Sequence, residues 1–195
     1  MNNKSAKSAL LWTGGKDCCH VLHLVPAEID YLVTLVPKDF NDHSFKAHPI
    51  YEIKNQAQKL GIKLLFIEVI TPYVQGYEAA FLTLKTKYAI TTIYTGDIEF
   101  YDTCNNIIEN SCIKNNIKII RPLWKKERMA LMLSLLQYKI EAKITWVTSP
   151  YLQTNFLGKI ITKELIKELQ ILPIDLCGEK GEYYTMVINC PLMNK

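Results

Sequence analysis

Ser8-Ala9-Leu10-Leu11-Trp12-Thr13-Gly14-Gly15-Lys16-Asp17-Cys18 is the stretch on which the fold is decided. Ser8–Trp12 is short and apolar and reads as a buried strand, cut off by Thr13-Gly14-Gly15. Residues Asp17 to Leu24 read as a helix that stops at Pro26. A strand, a glycine turn and a helix in this order open a parallel α/β sheet, whose ligands bind at the carboxyl ends of the strands. Gly14 and Gly15 let backbone N–H groups approach an anion, and the helix N-terminus adds donors and a favourable dipole. Lys16 adds a positive charge and Thr13 a hydroxyl, while Asp17 beside a phosphate site suggests Mg²⁺. The pattern is neither G-x-x-x-x-G-K-[ST] nor G-x-G-x-x-G. The plain alternative is a turn that only joins strand to helix.

The same alternation continues outward. Ile29–Val36 reads as a strand ending at Pro37. His48-Pro49 opens a helix with Ile50, Ile53, Ala57 and Leu60 on one face, closed by Gly61. Lys63–Val69 is the third strand. The next helix carries a stripe of Tyr73, Tyr77, Ala80, Phe81, Leu84 and Tyr88. Thr91–Thr95 is strand four, a helix with Cys104, Ile107, Ile108 and Cys112 follows, and Ile117–Ile120 is strand five. Strands separated by helical crossovers predict a doubly wound five-stranded parallel sheet with helices on both faces. Beyond Arg121-Pro122 the pattern changes: a helix over Lys126–Tyr138 with Met129, Met132, Leu133 and Leu136 inside, a strand over Ala142–Thr148, and a loop over Ser149–Gly158. A helix over Lys159–Gln170 and a terminal strand over Tyr183–Cys190 complete it. The expected division is 1–121 for the nucleotide-type domain and 122–195 for a smaller C-terminal α/β domain.

Composition narrows the function classes. The 195 residues are 49% hydrophobic and 22% charged, which excludes disordered and fibrous classes. The net charge of +4, from 23 basic and 19 acidic residues, lacks the basic face of a nucleic-acid binder. The first residues lead into only four apolar ones, Ala9 to Trp12, too few for a signal peptide's core. The expectation is a cytoplasmic protein without membrane or stable nucleic-acid partners. None of the six cysteines forms C-x-x-C, so a zinc ribbon is not expected and buried free thiols are.

Two further sites carry chemistry. Gly96-Asp97 ends strand four, next to the first strand in a doubly wound order, where Asp97 could reach the same metal or a substrate amine; capping the next helix is the alternative. Cys177-Gly178-Glu179-Lys180-Gly181-Glu182-Tyr183-Tyr184-Thr185 places two glycines and two glutamates before the last strand. It forms either a rigid acidic loop for a cationic substrate or ammonia, or a solvated turn into an edge strand. His43 and His48, after strand two, read as a surface histidine and a helix cap, with no tightly bound zinc.

Thr13-Gly14-Gly15-Lys16-Asp17-Cys18 resembles the S-G-G-K-D-S loop of the PP-loop ATP pyrophosphatases. Glu179-Lys180-Gly181-Glu182-Tyr183-Tyr184-Thr185 resembles the E-G-G-E-[FY]-E-[ST] motif of one branch, the diphthine–ammonia ligases. Gly96-Asp97, Pro122-Leu123-Trp124, Phe156-Leu157-Gly158 and Asp175 to Glu179 fall where that branch has similar residues, so the resemblance spans nearly the whole chain. It implies a HUP-type, adenine nucleotide alpha hydrolase-like domain that binds ATP and Mg²⁺. It also implies an AMP-forming carbon–nitrogen ligase: ATP adenylates a small or protein-borne carboxylate, pyrophosphate leaves, and ammonia or another amine displaces AMP. By this resemblance Thr13, Gly14, Gly15, Lys16, Asp17, Cys18 and Gly96 bind the nucleotide. Lys16, Asp17 and Asp97 act in catalysis, Asp17 meets the metal, and Glu179, Gly181, Glu182 and Tyr184 meet the acceptor. Departures from the pattern are Thr13 and Cys18 for serines, Lys180 for a glycine and Tyr184 for an acidic residue. They resemble bacterial relatives of the branch, and homodimer contacts through the C-terminal part stay open. Two other readings remain: a sulfur-transfer enzyme acting on tRNA, invited by Cys18, Cys19 and Cys177, and a non-catalytic ATP-binding protein of the same fold.

Overall fold

A computed structural model describes residues 5–99 and 106–194. Five parallel strands form the main sheet: β1 (Lys7–Leu11), β2 (Tyr31–Val36), β3 (Lys63–Glu68), β4 (Ile90–Tyr94) and β5 (Lys118–Ile120), in the order β3-β2-β1-β4-β5. The order reverses between β1 and β4, which places the Thr13–Cys18 turn and Gly96-Asp97 at one switch point. The register sets Leu10 beside Leu32 and Leu11 beside Val33. Because side chains alternate along a strand, one face presents Leu10 and Leu32 and the other Ala9 and Val33.

Each face has its own apolar core. Helices α1 (Lys16–Leu24) and α2 (Ile50–Leu60) cover the Leu10 face, whereas α3 (Tyr73–Tyr88) and α4 (Ile107–Lys114) cover the Ala9 face with Phe81, Leu84 and Cys112. The remaining elements are α5 (Arg128–Gln137), β6 (Glu141–Val147), α6 (Lys163–Gln170) and β7 (Tyr183–Asn189), with β6 and β7 forming an antiparallel pair. Their apolar residues, among them Leu135, Ile144, Leu165 and Val187, join the same core as Leu10, Val21 and Ile53. The outer side of α1 and α2 is therefore buried by the second half of the chain.

The fold class read from the sequence is present, and the strand positions agree to within two residues. Three helical readings change. The helix read from Lys159 begins at Lys163, where the Thr162 hydroxyl caps the Leu165 N–H at 3.2 Å. Residues 158–161 pair with β6 instead, through Gly158 N–H to Ile144 O and Ile161 N–H to Ala142 O. In α5 the buried face is Leu131, Met132 and Leu135, while Leu133 is exposed; the Glu127 carboxylate caps Met129 and Ala130, so the helix starts later than read. Tyr73, assigned to the α3 stripe, is 62% exposed and Gly76 takes its place on the buried side. Cys104 lies outside the described residues. Among the described residues, no helix is long and apolar enough to cross a membrane.

Candidate active site

The turn after β1 is built from both ends of the chain. Gly14 adopts φ +79°, and a Cβ there would sit 2.5 Å from Gln56 Oε1 and 2.6 Å from Met186 Sδ. Only glycine meets both demands. The Gly14 carbonyl accepts from Val187 N–H at 2.8 Å and from Gln56 Nε2 at 3.1 Å. Gly15 is the N-cap of α1 and supplies no side-chain cap, which leaves first-turn donors to a ligand. The next N–H, of Lys16, donates to Thr185 Oγ1 at 3.1 Å. So β7, which carries the end of the acidic motif, lies directly on the glycine turn.

Lys16 is 3% exposed. Its Nζ donates to Asp17 Oδ2 at 2.7 Å and to the Cys177 carbonyl, and stands 5.5 Å from the Tyr183 ring centre. Burial works against its charge, but Asp17 and the groups around it outweigh that and hold the ammonium protonated. An ammonium has three donors; two are used, and one remains for an anion.

Two cavities meet at this point. The larger, about 540 Å³, is lined by Thr13, Gly15, Lys16, Asp17, Cys18 and His48 from the first half and by residues 177–179, 181 and 183–185 from the second. The smaller, about 380 Å³, lies over the ends of β1, β2 and β4, with Leu11, Val33, Leu35, Tyr77 and Ile108 as apolar wall and Gly96 and Asp97 at one side. Thr13, Asp17, Cys18 and Glu179 line both. A Cβ on Gly96 would lie 2.9 Å from the Asp17 carbonyl carbon, so a glycine there lets β4 approach the start of α1. Asp97 accepts from Thr95 Oγ1 at 2.8 Å and pairs with Arg121 Nε at 3.3 Å, so it belongs to an ion-pair network with Glu109 while facing the cavity.

The acidic loop separates its two glutamates. Glu179 faces both cavities, and burial, followed by the charge of Asp17, pushes its carboxyl up to about 7. Glu182 turns back into its own loop: its carboxylate accepts from Asp175 N–H at 2.7 Å and Lys180 N–H at 3.0 Å. It lines a different depression, with Arg128 and Asp175, and the Arg128–Asp175 pair at 2.9 Å pins the loop from below. Gly181 and Tyr184 line the larger cavity. The structure thus brings every sequence-predicted site residue to this region except Glu182, whose carboxylate holds the loop's shape, and Gly14, which holds the turn's.

Residues 6–119 match the diphthamide synthase N-terminal domain, and residues 127–195 match the diphthamide synthase C-terminal domain. The chain belongs to the diphthamide synthase family. It is similar to human diphthine–ammonia ligase, 24% identical over 215 aligned positions that cover 96% of this chain and 80% of the human protein. The mouse enzyme gives 23% with the same coverage. The fission yeast Schizosaccharomyces pombe enzyme is 27% identical, over 95% of this chain and 34% of its own length.

Sequence reasoning missed two site residues. Gln56, 3% exposed, accepts from Trp12 Nε1 at 3.0 Å and donates to Gly14 O and, at 2.7 Å, to Val187 O. One amide thereby joins β1, the glycine turn, α2 and β7. His48 is not a helix cap, since Pro49 holds that position. Its ring lies edge-on to Tyr184 at 5.7 Å, it lines the larger cavity, and its buried Nδ1 has no hydrogen-bond partner. Burial and then the charge of Lys16 push its pKa down to about 4, so it is neutral at pH 7. His43 is exposed. The available signal was position: a polar residue on the apolar face of α2, and a histidine just before its start.

Proposed function

We propose that the protein is an ATP-dependent, AMP-forming ligase that converts a carboxylate into an amide, the class of reaction named in its relatives. The observation that carries the reading is the junction of the two cavities at Thr13, Asp17 and Glu179. ATP lies with its base against the apolar wall of the smaller cavity and its phosphates at Gly15 and Lys16. The acceptor carboxylate and ammonia occupy the larger cavity. A carboxylate is a poor acyl donor because oxide would have to leave. Attack by its oxygen on the α-phosphorus forms the acyl-adenylate and releases pyrophosphate. Ammonia then attacks the acyl carbon, AMP leaves, and one proton is lost from nitrogen.

Asp17 and Asp97 supply hard oxygen donors facing one cavity, a set that suits Mg²⁺. Those two would hold the ion, whose chemistry is to neutralise charge on the leaving pyrophosphate. Lys16 would bind phosphate through its third donor. Glu179, with its carboxyl near 7, is matched to receive the proton that nitrogen loses. His48 and Tyr184 form the acceptor-side wall. The sulfur-transfer alternative is disfavoured: burial pushes the Cys18 thiol up to about 11 and the Cys177 thiol up to about 12, whereas a nucleophilic cysteine needs a lowered pKa. We place the reaction in the cytoplasm.

Diphthine is the first acceptor to try, with ammonium as nitrogen source. The expected products are AMP, pyrophosphate and an amide, with acceptor-dependent exchange of labelled pyrophosphate into ATP when ammonium is withheld. Glu179→Gln should keep that exchange and lose amide formation. Release of ADP and phosphate, or no acceptor-dependent AMP with any carboxylate tried, would overturn the reading.

A further inference from the structure

Along α1, on residues 19 and 23 and facing Cys190, three soft ligand groups converge at the edge of the apolar core. Cys19 Sγ, Cys190 Sγ and a ring nitrogen of His23 lie within 4.8 Å of one another. Cys19 is 0% and Cys190 1% exposed, while His23 is half-buried at the edge. Cys19 and His23 are one helical turn apart and so share a face of α1. Cys190 follows β7, so the set joins the same two elements that meet at the glycine turn. His23 Nδ1 donates to the Cys19 carbonyl at 2.9 Å, the kind of backbone contact that orients a ligating imidazole. In a tetrahedral zinc site, bond lengths of about 2.3 Å to sulfur and about 2.0 Å to nitrogen place the ligand atoms roughly 3.5–3.8 Å apart. The ligand atoms of the three residues, all within 4.8 Å of one another, need to close by only about 1 Å to reach that spacing.

We propose that Cys19, His23 and Cys190 form a binding site for a thiophilic divalent cation of the zinc class, separate from the ligase centre. Thiolate and imidazole together select soft and borderline cations over Mg²⁺. Two thiolates cancel the charge of a divalent ion, which lowers the cost of burying the set. The half-buried imidazole edge gives the ion its way in and leaves the remaining coordination position to water. Bound there, the ion clamps the last turn of α1 to the end of β7. The site is independent of the nucleotide chemistry, so its test can fail while the ligase reading stands.

The probe is Zn²⁺, or Co²⁺ as its spectroscopic substitute, added to chelator-stripped, thiol-reduced full-length protein in excess Mg²⁺. The expected result is one Zn²⁺ per chain by atomic emission, a thiolate-to-cobalt charge-transfer band in the near ultraviolet, and a raised melting temperature with Zn²⁺. Cys190→Ser and His23→Gln should each weaken Zn²⁺ binding by roughly tenfold or more. His23→Gln, at the half-buried edge, serves as the variant that keeps the fold if Cys190→Ser does not. Absence of stoichiometric Zn²⁺ binding by the reduced wild type would overturn the proposal. So would wild-type Zn²⁺ affinity in folded His23→Gln, or peptide mapping that finds a Cys19–Cys190 disulfide whose reduction yields no metal binding.

Discussion

Lys16 has used two of its three donors before any ligand arrives. Replacing it with Met keeps the stem that fills the space beside Tyr183 and removes the charge. A hydrogen bond to a charged group is worth about 1.5–3 kcal/mol, so Lys16→Met should weaken ATP binding by roughly 10- to 100-fold in calorimetry. An unchanged affinity would remove Lys16 from the phosphate site. The two acidic-loop glutamates call for opposite outcomes. Glu182→Ala should lower stability by about 1–3 kcal/mol, because two backbone N–H groups lose their acceptor; Glu179→Gln should not lower the melting temperature at pH 7 and should raise it at higher pH, because a neutral amide avoids the cost of the buried charge.

Protonation belongs to the same scale. His48 and His20 are both held near 4 by burial first, His20 while sharing a hydrogen bond with Ser134 at 2.7 Å. Unfolded, each titrates near 6.5. Between about 4 and 6.5 the unfolded chain therefore binds more protons, and the stability these residues contribute is lost as pH falls through that window. Glu179 acts in the opposite sense: its folded value near 7 lies above the unfolded 4.5, so its contribution declines as pH rises from 4.5 to 7. Urea midpoints measured across pH 4 to 7 should show a shallower acid-side fall in His48→Gln than in wild type. Identical slopes would mean that His48 is not buried neutral.

At the scale of elements, β7 is the one whose role the sequence conceals. Thr185 and Val187 bond the glycine turn from a strand that reads on its own as an edge strand. Thr185→Val removes the acceptor of the Lys16 N–H while keeping shape. It should cost about 1 kcal/mol of stability and reduce ATP affinity, measured by calorimetry; unchanged affinity would mean that the turn holds its form without β7. The main-sheet strands were legible because buried parallel strands are continuous apolar runs, Leu64-Leu65-Phe66-Ile67 being the plainest. The glycine turn was legible because two glycines stand between an apolar strand and a helix, although the contacts that require Gly14, from Gln56 and Met186, are distant in sequence. Gln56 was not, since a polar side chain within a helical pattern reads as solvent-facing until its partners, 42 and 131 residues away, are known; His48 was not, because its position just before the helix suits a cap and its contact with Tyr184 is distant in sequence. The start of α6 was misplaced because residues 158–161 satisfy their backbone on β6, a long-range choice that local periodicity does not record.

For the molecule as a whole, the core on the α1–α2 side mixes residues from both halves of the chain. Separating the halves would expose Leu10, Val21 and Ile53 on one piece and Ile144, Leu165 and Val187 on the other. Thermal unfolding should accordingly be a single transition, coincident by far-ultraviolet circular dichroism and by tryptophan fluorescence, Trp12 being fully buried and Trp146 40% exposed. Two resolved transitions would show that the halves fold separately.

The contact between Lys16 and Thr185 spans 169 residues, and it orders events during synthesis. The ribosome makes the glycine turn 169 residues before the strand residue that fixes its shape. Until then the nascent chain carries Gly14 and Lys16 without their partners, as part of a sheet whose second covering layer does not yet exist. Contacts of such long range form late and slow folding. The nucleotide therefore meets no half-built pocket: the capacity to hold ATP should switch on only after residues 183–187 have cleared the exit tunnel.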